Sequence, residues 1–264
     1  MDEKWLREQT EELETALAQQ GFRGSVPMIV PRSPGQVMEI PKDKLNLAGY
    51  IDHTLLKPDA GRLAIKRLCE EAREYQFCAV CVNPVHLPYA AELLQGSSVR
   101  PCTVIGFPLG ATTTLTKVLE ARDAIANGAQ ELDMVINIGA LAEGDYAAVL
   151  NDIKAVRDAA RGVTLKVILE TGLLTKEQIV KGSILVRMAG ADFVKTSTGF
   201  GPGGATVEDI RIMRAVVGPD FGVKASGGVR DYETAVAMIK AGANRIGTSS
   251  GTAIIKGVEG AGEY

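Results

Sequence analysis

Two patterns of hydrophobic and polar residues alternate along the chain from about residue 48. Short, nearly continuous aliphatic runs are typical of strands that are buried on both faces of a sheet. Longer segments with hydrophobic residues every three or four positions predict amphipathic helices, and several end on glycine, a common helix terminator. The predicted strands are residues 50–54, 78–83, 100–107, 131–137, 164–170, 192–197, 222–226 and 245–249. The predicted helices include residues 63–75, 116–128, 145–160, 175–190, 207–217 and 232–242.

Eight strand–helix units with short connections predict a closed (β/α)8 TIM barrel. The chain has 264 residues, which suits one such domain of about 250 residues. A doubly wound open sheet is the alternative for the same alternation of elements. In barrel enzymes the active site lies at the C-terminal ends of the strands, so the polar residues there are the candidates for chemistry.

The first 45 residues differ from the rest of the chain. Residues 2–20 place a few hydrophobic residues among acids and glutamines, which predicts a weakly amphipathic helix. Residues 21–41 are rich in proline and glycine and predict an irregular connector. We therefore divide the chain into an N-terminal helix and arm, residues 1–45, and a catalytic barrel, residues 46–264. The sequence leaves open whether the arm packs beneath the barrel, joins an oligomer contact or stays mobile.

Composition narrows the range of partners. The chain is 46% hydrophobic and 23% charged, with a net charge of −3, as in ordinary globular proteins. It has no strongly basic tract, which predicts that nucleic acid is not a partner. Its apolar runs are shorter than the roughly 20 residues of a membrane span, and its charged N-terminus lacks the apolar core of a signal peptide. We therefore expect a cytoplasmic protein without a membrane partner.

Two lysines interrupt aliphatic strands: Lys195 in F-V-K-T-S and Lys224 in G-V-K-A-S. One such lysine is best explained by a salt bridge to an interior acid, because burying an unpaired amine is costly. Two on consecutive strands favour a Schiff-base site, since a neighbouring cation and desolvation both disfavour the ammonium form. Asp133, on the fourth predicted strand, is a candidate proton carrier or an ion-pair partner. A third strand lysine, Lys166, is expected to pair with an acid in a structural role.

Glycine-rich loops follow the last three predicted strands, at residues 199–206, 226–231 and 247–251. Exposed backbone N–H groups and helix N-termini attract anions, and the loops after strands seven and eight of a barrel commonly bind phosphate. The hydroxyls of Ser249 and Ser250 and the cation of Arg230 add to this pattern, which predicts a phosphate pocket. The alternative is that the glycines only make tight turns and that Arg230 is a surface charge.

The histidines and cysteines do not predict a metal or redox centre. His53 and His86 lie far apart and lack the spacing of zinc ligands, so we expect no metal cofactor. We expect His53 at the rim of the barrel mouth and His86 on a helix. Cys78 and Cys81 form a C-x-x-C sequence, but residues three apart on a strand point to opposite faces. We therefore expect these two cysteines to be small buried hydrophobic residues.

Several segments together resemble the deoxyribose-phosphate aldolase family. They are IDHTLLKP, CVNP, GFPLGATTT, LDMVINIG, KVILETG, FVKTSTGFG, VKASGGVR and RIGTSSG, in this order from about residue 50 to residue 252. The resemblance implies reversible cleavage of 2-deoxy-D-ribose 5-phosphate to D-glyceraldehyde 3-phosphate and acetaldehyde, without a metal or organic cofactor. It implies that Lys195 forms the Schiff base, that Lys224 keeps Lys195 neutral and takes part in proton transfer, and that Asp133 is the acid/base partner.

The same resemblance implies the remaining contacts. Thr54 and Thr198 are expected to contact the sugar hydroxyls, and Tyr264 is a candidate proton relay. The chain is expected to form a homodimer or homotetramer. The implied phosphate pocket, with much of its contact through backbone N–H groups, comprises Gly199, Gly227, Gly228, Val229, Arg230, Gly247, Ser249 and Ser250.

One position departs from the family pattern. Some members carry a phosphate-contacting lysine directly after the KTSTG run, where this chain has Phe200. We therefore hypothesise that this protein discriminates less strongly in favour of phosphorylated substrates. Two other functions stay open from the sequence: a different phosphosugar barrel, such as another Schiff-base aldolase or a transaldolase, and a non-catalytic barrel that binds a phosphorylated metabolite.

Overall fold

The computed structural model describes residues 2–27, 29, 44–258 and 260. Eight parallel strands pair in chain order and the last closes on the first, so the predicted barrel is confirmed and the open sheet is excluded. Each predicted strand is present, with bounds that differ by at most two residues at either end. The strands are β1 Ile51–Leu55, β2 Ala79–Val82, β3 Arg100–Ile105, β4 Glu131–Val135, β5 Thr164–Ile168, β6 Phe193–Lys195, β7 Gly222–Ser226 and β8 Arg245–Thr248.

The helices surround this barrel. All six predicted barrel helices and the N-terminal helix are present, and α10 occupies the short helical stretch expected after the last strand. Helices α3 and α5 were not predicted, because seven and six residues are too few to display a period of 3.6. The helices are α1 Glu3–Gln19, α2 Arg62–Tyr75, α3 Leu87–Leu93, α4 Thr114–Ala126, α5 Ile138–Glu143, α6 Tyr146–Ala159, α7 Lys176–Met188, α8 Val207–Val217, α9 Tyr232–Ala241 and α10 Gly251–Lys256. Short 3₁₀ turns cover Lys44–Tyr50, Pro84–His86 and Thr171–Leu173.

Polar side chains fix where many of these helices begin. An oxygen of the N-cap residue accepts a hydrogen bond from a backbone N–H of the first turn, which satisfies a donor that the helix itself leaves unpaired. Thr175 does so within a full capping box with Gln178. The other barrel helices capped in this way are α4, α5, α6, α8 and α9, by Thr113, Asn137, Asp145, Thr206 and Asp231.

Helix α1 packs on the outside of the barrel, against α6 and α7. Leu6, Leu13 and Leu17 are fully buried there. Glu12 pairs with Lys181 of α7 at 2.7 Å, and the Gln20 amide donates to the Gly144 carbonyl at 2.7 Å. The helix is therefore docked beside the barrel rather than beneath it. Most of the predicted connector, residues 28 and 30–41, lies outside the described residues, and the domain boundary at residue 45 stays a prediction.

No helix in the described ranges combines the length and apolar character that crossing a bilayer requires. The hydrophobic core lies mainly between the strands and the surrounding helices. The inside of the barrel is different: at its centre the inward-facing side chains are charged.

Candidate active site

Seven buried charged residues converge inside the barrel, and we call them the barrel cluster. Alternation along each strand directs every second side chain inward. The members of the cluster lie on six of the eight strands. Each member is at most 5% exposed. The members are Asp52 on β1, Glu131 and Asp133 on β4, Lys166 on β5, Lys195 on β6, Lys224 on β7 and Arg245 on β8.

Asp133 is the centre of the cluster. Its Oδ2 accepts hydrogen bonds from the Nζ atoms of Lys195 and Lys224, each at 2.8 Å. Its Oδ1 accepts from Lys166 Nζ at 2.7 Å and from the Cys102 thiol at 3.4 Å. Burial opposes the charged form of Asp133, but the three lysines together hold its pKa well below the usual range. Asp133 is therefore an ionised carboxylate with both oxygens occupied.

Two further carboxylates complete the cluster. Asp52 accepts from Lys224 at 2.5 Å and from Arg245 at 2.7 Å. Glu131 accepts from Lys166 at 2.6 Å and from Arg245 at 3.0 Å. Burial opposes ionisation of both acids, yet these cations lower the pKa of each one. Each buried charge is thus paired, as burial in a low dielectric requires.

Sequence reasoning did not assign Asp52, Glu131 and Arg245 to the site. The signal that could have found them is the period of two along a strand. Each lies two positions before a residue that was assigned, Thr54, Asp133 or Gly247, and so faces the same side of its strand.

The three lysines differ in how tightly carboxylates hold them. Lys166 lies 2.6 Å from Glu131, 2.7 Å from Asp133 and 3.7 Å from Asp52. Lys224 contacts two carboxylates, and Lys195 contacts only Asp133. Burial opposes charge on Lys166 and Lys224, but the carboxylates raise the pKa of both above the usual range. Lys166 therefore pairs with acids as expected, and Lys195 is the least restrained amine of the three.

Backbone and side-chain hydrogen bonds join the three predicted phosphate loops at the mouth of the barrel. Ala205 N–H donates to the Gly227 carbonyl at 3.0 Å, which joins the loops after β6 and β7. The Thr248 hydroxyl donates to the Val229 carbonyl at 2.7 Å, which joins the loops after β7 and β8. Gly227 and Gly228 both have φ near +80°, where a side chain would be strained. The loops therefore form one continuous rim.

The rim approaches the barrel cluster at Gly247. A Cβ at this position would lie 2.8 Å from Lys224 Cε and 2.9 Å from Ser226 Cβ, so only glycine fits without displacing Lys224. Ser250 is buried, its N–H donates to the Thr248 hydroxyl at 2.9 Å, and its side chain lies under Gly260. Gly260 N–H donates to the Arg230 carbonyl at 3.0 Å. The chain near its C-terminus thus crosses two of the predicted phosphate loops, whereas Tyr264 lies outside the described residues.

The two predicted sugar contacts lie on different sides of the mouth. The Thr54 hydroxyl donates to the carbonyl of Asp52 at 2.9 Å. The Thr198 hydroxyl donates to Glu170, a buried residue that the sequence analysis did not assign, and accepts from the Phe200 N–H at 3.0 Å. Glu170 thus fixes the start of the loop that carries Gly199 and Phe200.

The expected position of His53 is wrong. Because Asp52 points into the barrel, its neighbour His53 points outward, and it is buried against Phe77 and Glu71. His53 Nε2 lies 2.9 Å from Glu71 Oε2. His86 is the last residue of a short 3₁₀ helix, which agrees with its expected helical position.

Of the two cysteines of the C-x-x-C sequence, Cys81 is buried as expected, whereas Cys78 is partly exposed. Both are free thiols. Within the described ranges, the one group of His, Cys, Asp or Glu residues with the spacing of metal ligands is Cys81, Cys102 and Asp133. Lysine amines already occupy both Asp133 oxygens, so a metal ion would have to displace them.

Comparison with known proteins gives one consistent result. Residues 47–257 match the DeoC/LacD family aldolase domain. The deoxyribose-phosphate aldolase of Macrococcus caseolyticus is 60% identical over 220 residues, which cover 83% of this chain and all of that protein. The enzyme of the same name from Brevibacillus brevis is 63% identical over 215 residues, 81% of this chain and 97% of that one. The tetrameric deoxyribose phosphate aldolase from Aeropyrum pernix superposes with a TM-score of 0.78 at 34% identity, over 84% of this chain and 95% of that one.

The pH dependence of stability tests the contacts of Glu71 with His53 and Arg67. Hydrogen bonds from His53, the larger effect, and from Arg67 lower the pKa of Glu71 from 4.5 to about 2, against the effect of burial, so the folded chain binds fewer protons than the unfolded chain between these values. This stabilisation is complete above pH 4.5 and is lost as the pH falls towards 2. We expect Glu71→Gln to be about 1 kcal/mol less stable than wild type near neutrality, allowing for solvent screening, and this difference to vanish near pH 2.

Urea unfolding at a series of pH values measures this difference. Glu74→Gln, an exposed change on the same helix, is the matched control and should behave as wild type throughout. A stability difference for Glu71→Gln that stays constant with pH would contradict the assignment.

Proposed function

The chain belongs to the DeoC/LacD family of aldolases, and we propose that it acts through a Schiff base on Lys195. It is a carbon–carbon lyase. Its reaction is the reversible cleavage of 2-deoxy-D-ribose 5-phosphate to D-glyceraldehyde 3-phosphate and acetaldehyde, in agreement with relatives that are named deoxyribose-phosphate aldolase.

We choose Lys195 as the nucleophile because of the balance of positive and negative charges in the barrel cluster. Among the described residues of the cluster, three carboxylates face Lys166, Lys224 and Arg245, each of which contacts at least two of them. These three cations already neutralise the three acids. A proton on Lys195 would add an unmatched positive charge in a buried site, which is costly. This supports a neutral amine at Lys195, the form that attacks a carbonyl.

The reaction then follows from this amine. Lys195 Nζ adds to the C1 aldehyde of the open-chain sugar phosphate, and loss of water gives an iminium ion. The iminium withdraws electrons while the C3 hydroxyl loses its proton, and the C2–C3 bond breaks. Glyceraldehyde 3-phosphate leaves, and an enamine of acetaldehyde stays on Lys195. Protonation at carbon and hydrolysis release acetaldehyde and restore the amine.

Asp133 and Lys224 are suited to move the protons of these steps. Asp133 Oδ2 lies 2.8 Å from both Lys195 Nζ and Lys224 Nζ, so one oxygen bridges the nucleophile and a second proton donor. Developing positive charge on the iminium nitrogen would lie beside this ionised carboxylate, which stabilises it. Lys224 also contacts Asp52, so it is fixed beside Asp133.

The loops of the rim are suited to bind the phosphate. They place backbone N–H groups and helix N-termini together above β6, β7 and β8, an arrangement that favours anions. Arg230, which is exposed on this rim, supplies a cation. Thr54 and Thr198 are proposed to contact the sugar hydroxyls.

Two expectations about the whole protein are proposals of the same kind. A homodimer or homotetramer is supported by the tetrameric relative from Aeropyrum pernix. A cytoplasmic location stays a prediction. Tyr264 is retained as a candidate proton relay, with Gly260 holding the preceding chain against the rim.

Borohydride trapping tests the nucleophile. The protein is incubated with acetaldehyde and sodium borohydride, which reduces an imine to a stable ethyl-lysine, and its peptides are mapped by mass spectrometry. We expect the ethyl group on Lys195 and no adduct in Lys195→Ala. An adduct on Lys224 or Lys166 would overturn the assigned roles, and no adduct in folded protein would overturn the Schiff-base mechanism.

A second experiment tests the effect of Phe200 on phosphate preference. The Phe200 ring packs edge-to-face on Phe107 at 5.4 Å, so this part of the rim is apolar. We expect Phe200→Lys to raise the ratio of kcat/KM for deoxyribose 5-phosphate over free deoxyribose by roughly tenfold, the effect of one charge-assisted contact. Phe200→Leu is the control and should leave the ratio unchanged. An unchanged ratio in Phe200→Lys would show that Phe200 does not set phosphate preference.

A further inference from the structure

Two of the four cysteines lie side by side in the wall of the barrel. Cys81 of β2 and Cys102 of β3 are direct partners in the register of neighbouring strands. Both side chains point into the barrel, where they pack with Leu56 and Val104. Their sulfur atoms lie within 4.8 Å of each other. They are thus a pair that the C-x-x-C sequence of Cys78 and Cys81 does not reveal.

The backbone already has the spacing of a disulfide. Neighbouring strands of a sheet lie about 4.7–4.9 Å apart, and the Cα atoms of disulfide-bonded cysteines lie about 4.4–6.8 Å apart. Register partners on neighbouring strands fall within this range. Closure must still bring the two sulfur atoms, which lie within 4.8 Å of each other, to bonding distance.

The surroundings give the two thiols different chemistry. Cys102 lies between Asp133 Oδ1, at 3.4 Å, and Lys166 Nζ, at 3.5 Å. The neighbouring Cys102 thiol lowers the pKa of Cys81, against the opposing effect of burial, with help from Lys224 and Lys195. Burial, together with the neighbouring Cys81 sulfur, raises the pKa of Cys102 well above the usual range. Cys81 is therefore the thiol better able to react as a thiolate, and Cys102 is the thiol placed to resolve it.

We propose that Cys81 and Cys102 form an oxidative modification site, closed to a disulfide by hydrogen peroxide, that switches off the adjoining Lys195–Asp133 centre. The oxidant is a small peroxide that enters by the route of the substrate. Lys195 Nζ must be reached by a sugar phosphate, and the Asp133 carboxylate that it contacts also contacts Cys102. A molecule much smaller than the sugar can reach the same place.

The chemistry is balanced in two steps. The Cys81 thiolate attacks one peroxide oxygen, the O–O bond breaks, and hydroxide leaves and takes up the thiol proton as water. The resulting sulfenic acid is attacked by the Cys102 sulfur, the S–S bond forms, and the S–O bond breaks with release of a second water. Two thiols are oxidised by two electrons and one peroxide is reduced to two waters.

Formation of the Cys81–Cys102 disulfide would change the contacts of Asp133. The Cys102 thiol would lose its proton and with it the hydrogen bond to Oδ1, and its sulfur would move to about 2.05 Å from that of Cys81. A lost hydrogen bond to a charged group is expected to lower activity by roughly tenfold or more. This consequence rests on the proposed roles of Asp133 and Lys195, whereas formation of the disulfide does not.

The experiment treats the full chain with hydrogen peroxide, quenches it with catalase, and reads two quantities. Peptide mapping without reductant detects a Cys81–Cys102 link, and aldol cleavage is assayed before and after dithiothreitol. We expect the linked peptide to appear in step with the loss of activity and dithiothreitol to reverse both. Cys78→Ala, which removes the other half of the C-x-x-C sequence, is the control and should give the same link and the same loss.

Cys102→Ala should form no link. Dithiothreitol should not restore the activity that this variant loses to peroxide, because Cys81 is then oxidised further without a resolving thiol. Cys81→Ala should form no link either, and it provides a second test if Cys102→Ala does not fold. Folded wild type that forms no Cys81–Cys102 link, or that keeps its activity with the link formed, would overturn the proposal. Failure of the Schiff-base mechanism alone would leave the link intact, so the two failures are distinguishable.

Discussion

The structure depends on one buried carboxylate, Asp133, and on the constraint that every charge brought inside the barrel must be paired. Its two oxygens accept from three lysine amines on three consecutive strands. Removing one partner of a buried ion pair costs about 3–5 kcal/mol, because the other charge is left without compensation. Loss of Asp52, Glu131 or Arg245 would therefore leave another buried charge of the cluster without one of its partners. They hold Lys166 and Lys224 in place, so that only Lys195 is held by a single carboxylate.

The strands, loops and outer helices are arranged around the barrel cluster. Alternation along the strands directs the charged side chains inward, and the aliphatic residues between them face the helices. The loops above β6, β7 and β8 form a rim of glycines over the cluster, and Gly247 allows this rim to approach Lys224 closely. Helix α1 packs on the outer helices α6 and α7, so it adds to the outer shell rather than to the barrel cluster.

Much of this could be predicted from the sequence, for identifiable reasons. Strands buried on both faces are aliphatic, so Lys195 and Lys224 stood out within them as candidate site residues, and the structure brings both to Asp133. Asp52 and Glu131 did not stand out, because a single acid near a strand end is common and its partners come from other strands. The pairing of Cys81 with Cys102 depends on strand register, which the sequence does not state. The predicted position of His53 was wrong because the sequence does not show which face of β1 points into the barrel. Once Asp52 is known to point inward, its neighbour His53 must point outward.

The central claim is that the cluster keeps Lys195 uncharged because its three acids are neutralised by other cations. The direct measurement is the pH dependence of the rate of borohydride trapping of acetaldehyde on Lys195, in wild type, Lys224→Met and Lys224→Arg. If the claim is correct, Lys195 takes over the charge that Lys224→Met removes, so half-maximal trapping moves to higher pH in that variant and stays near the wild-type value in Lys224→Arg. The same pH dependence in wild type and Lys224→Met, with Lys195 still the labelled residue, would contradict the claim.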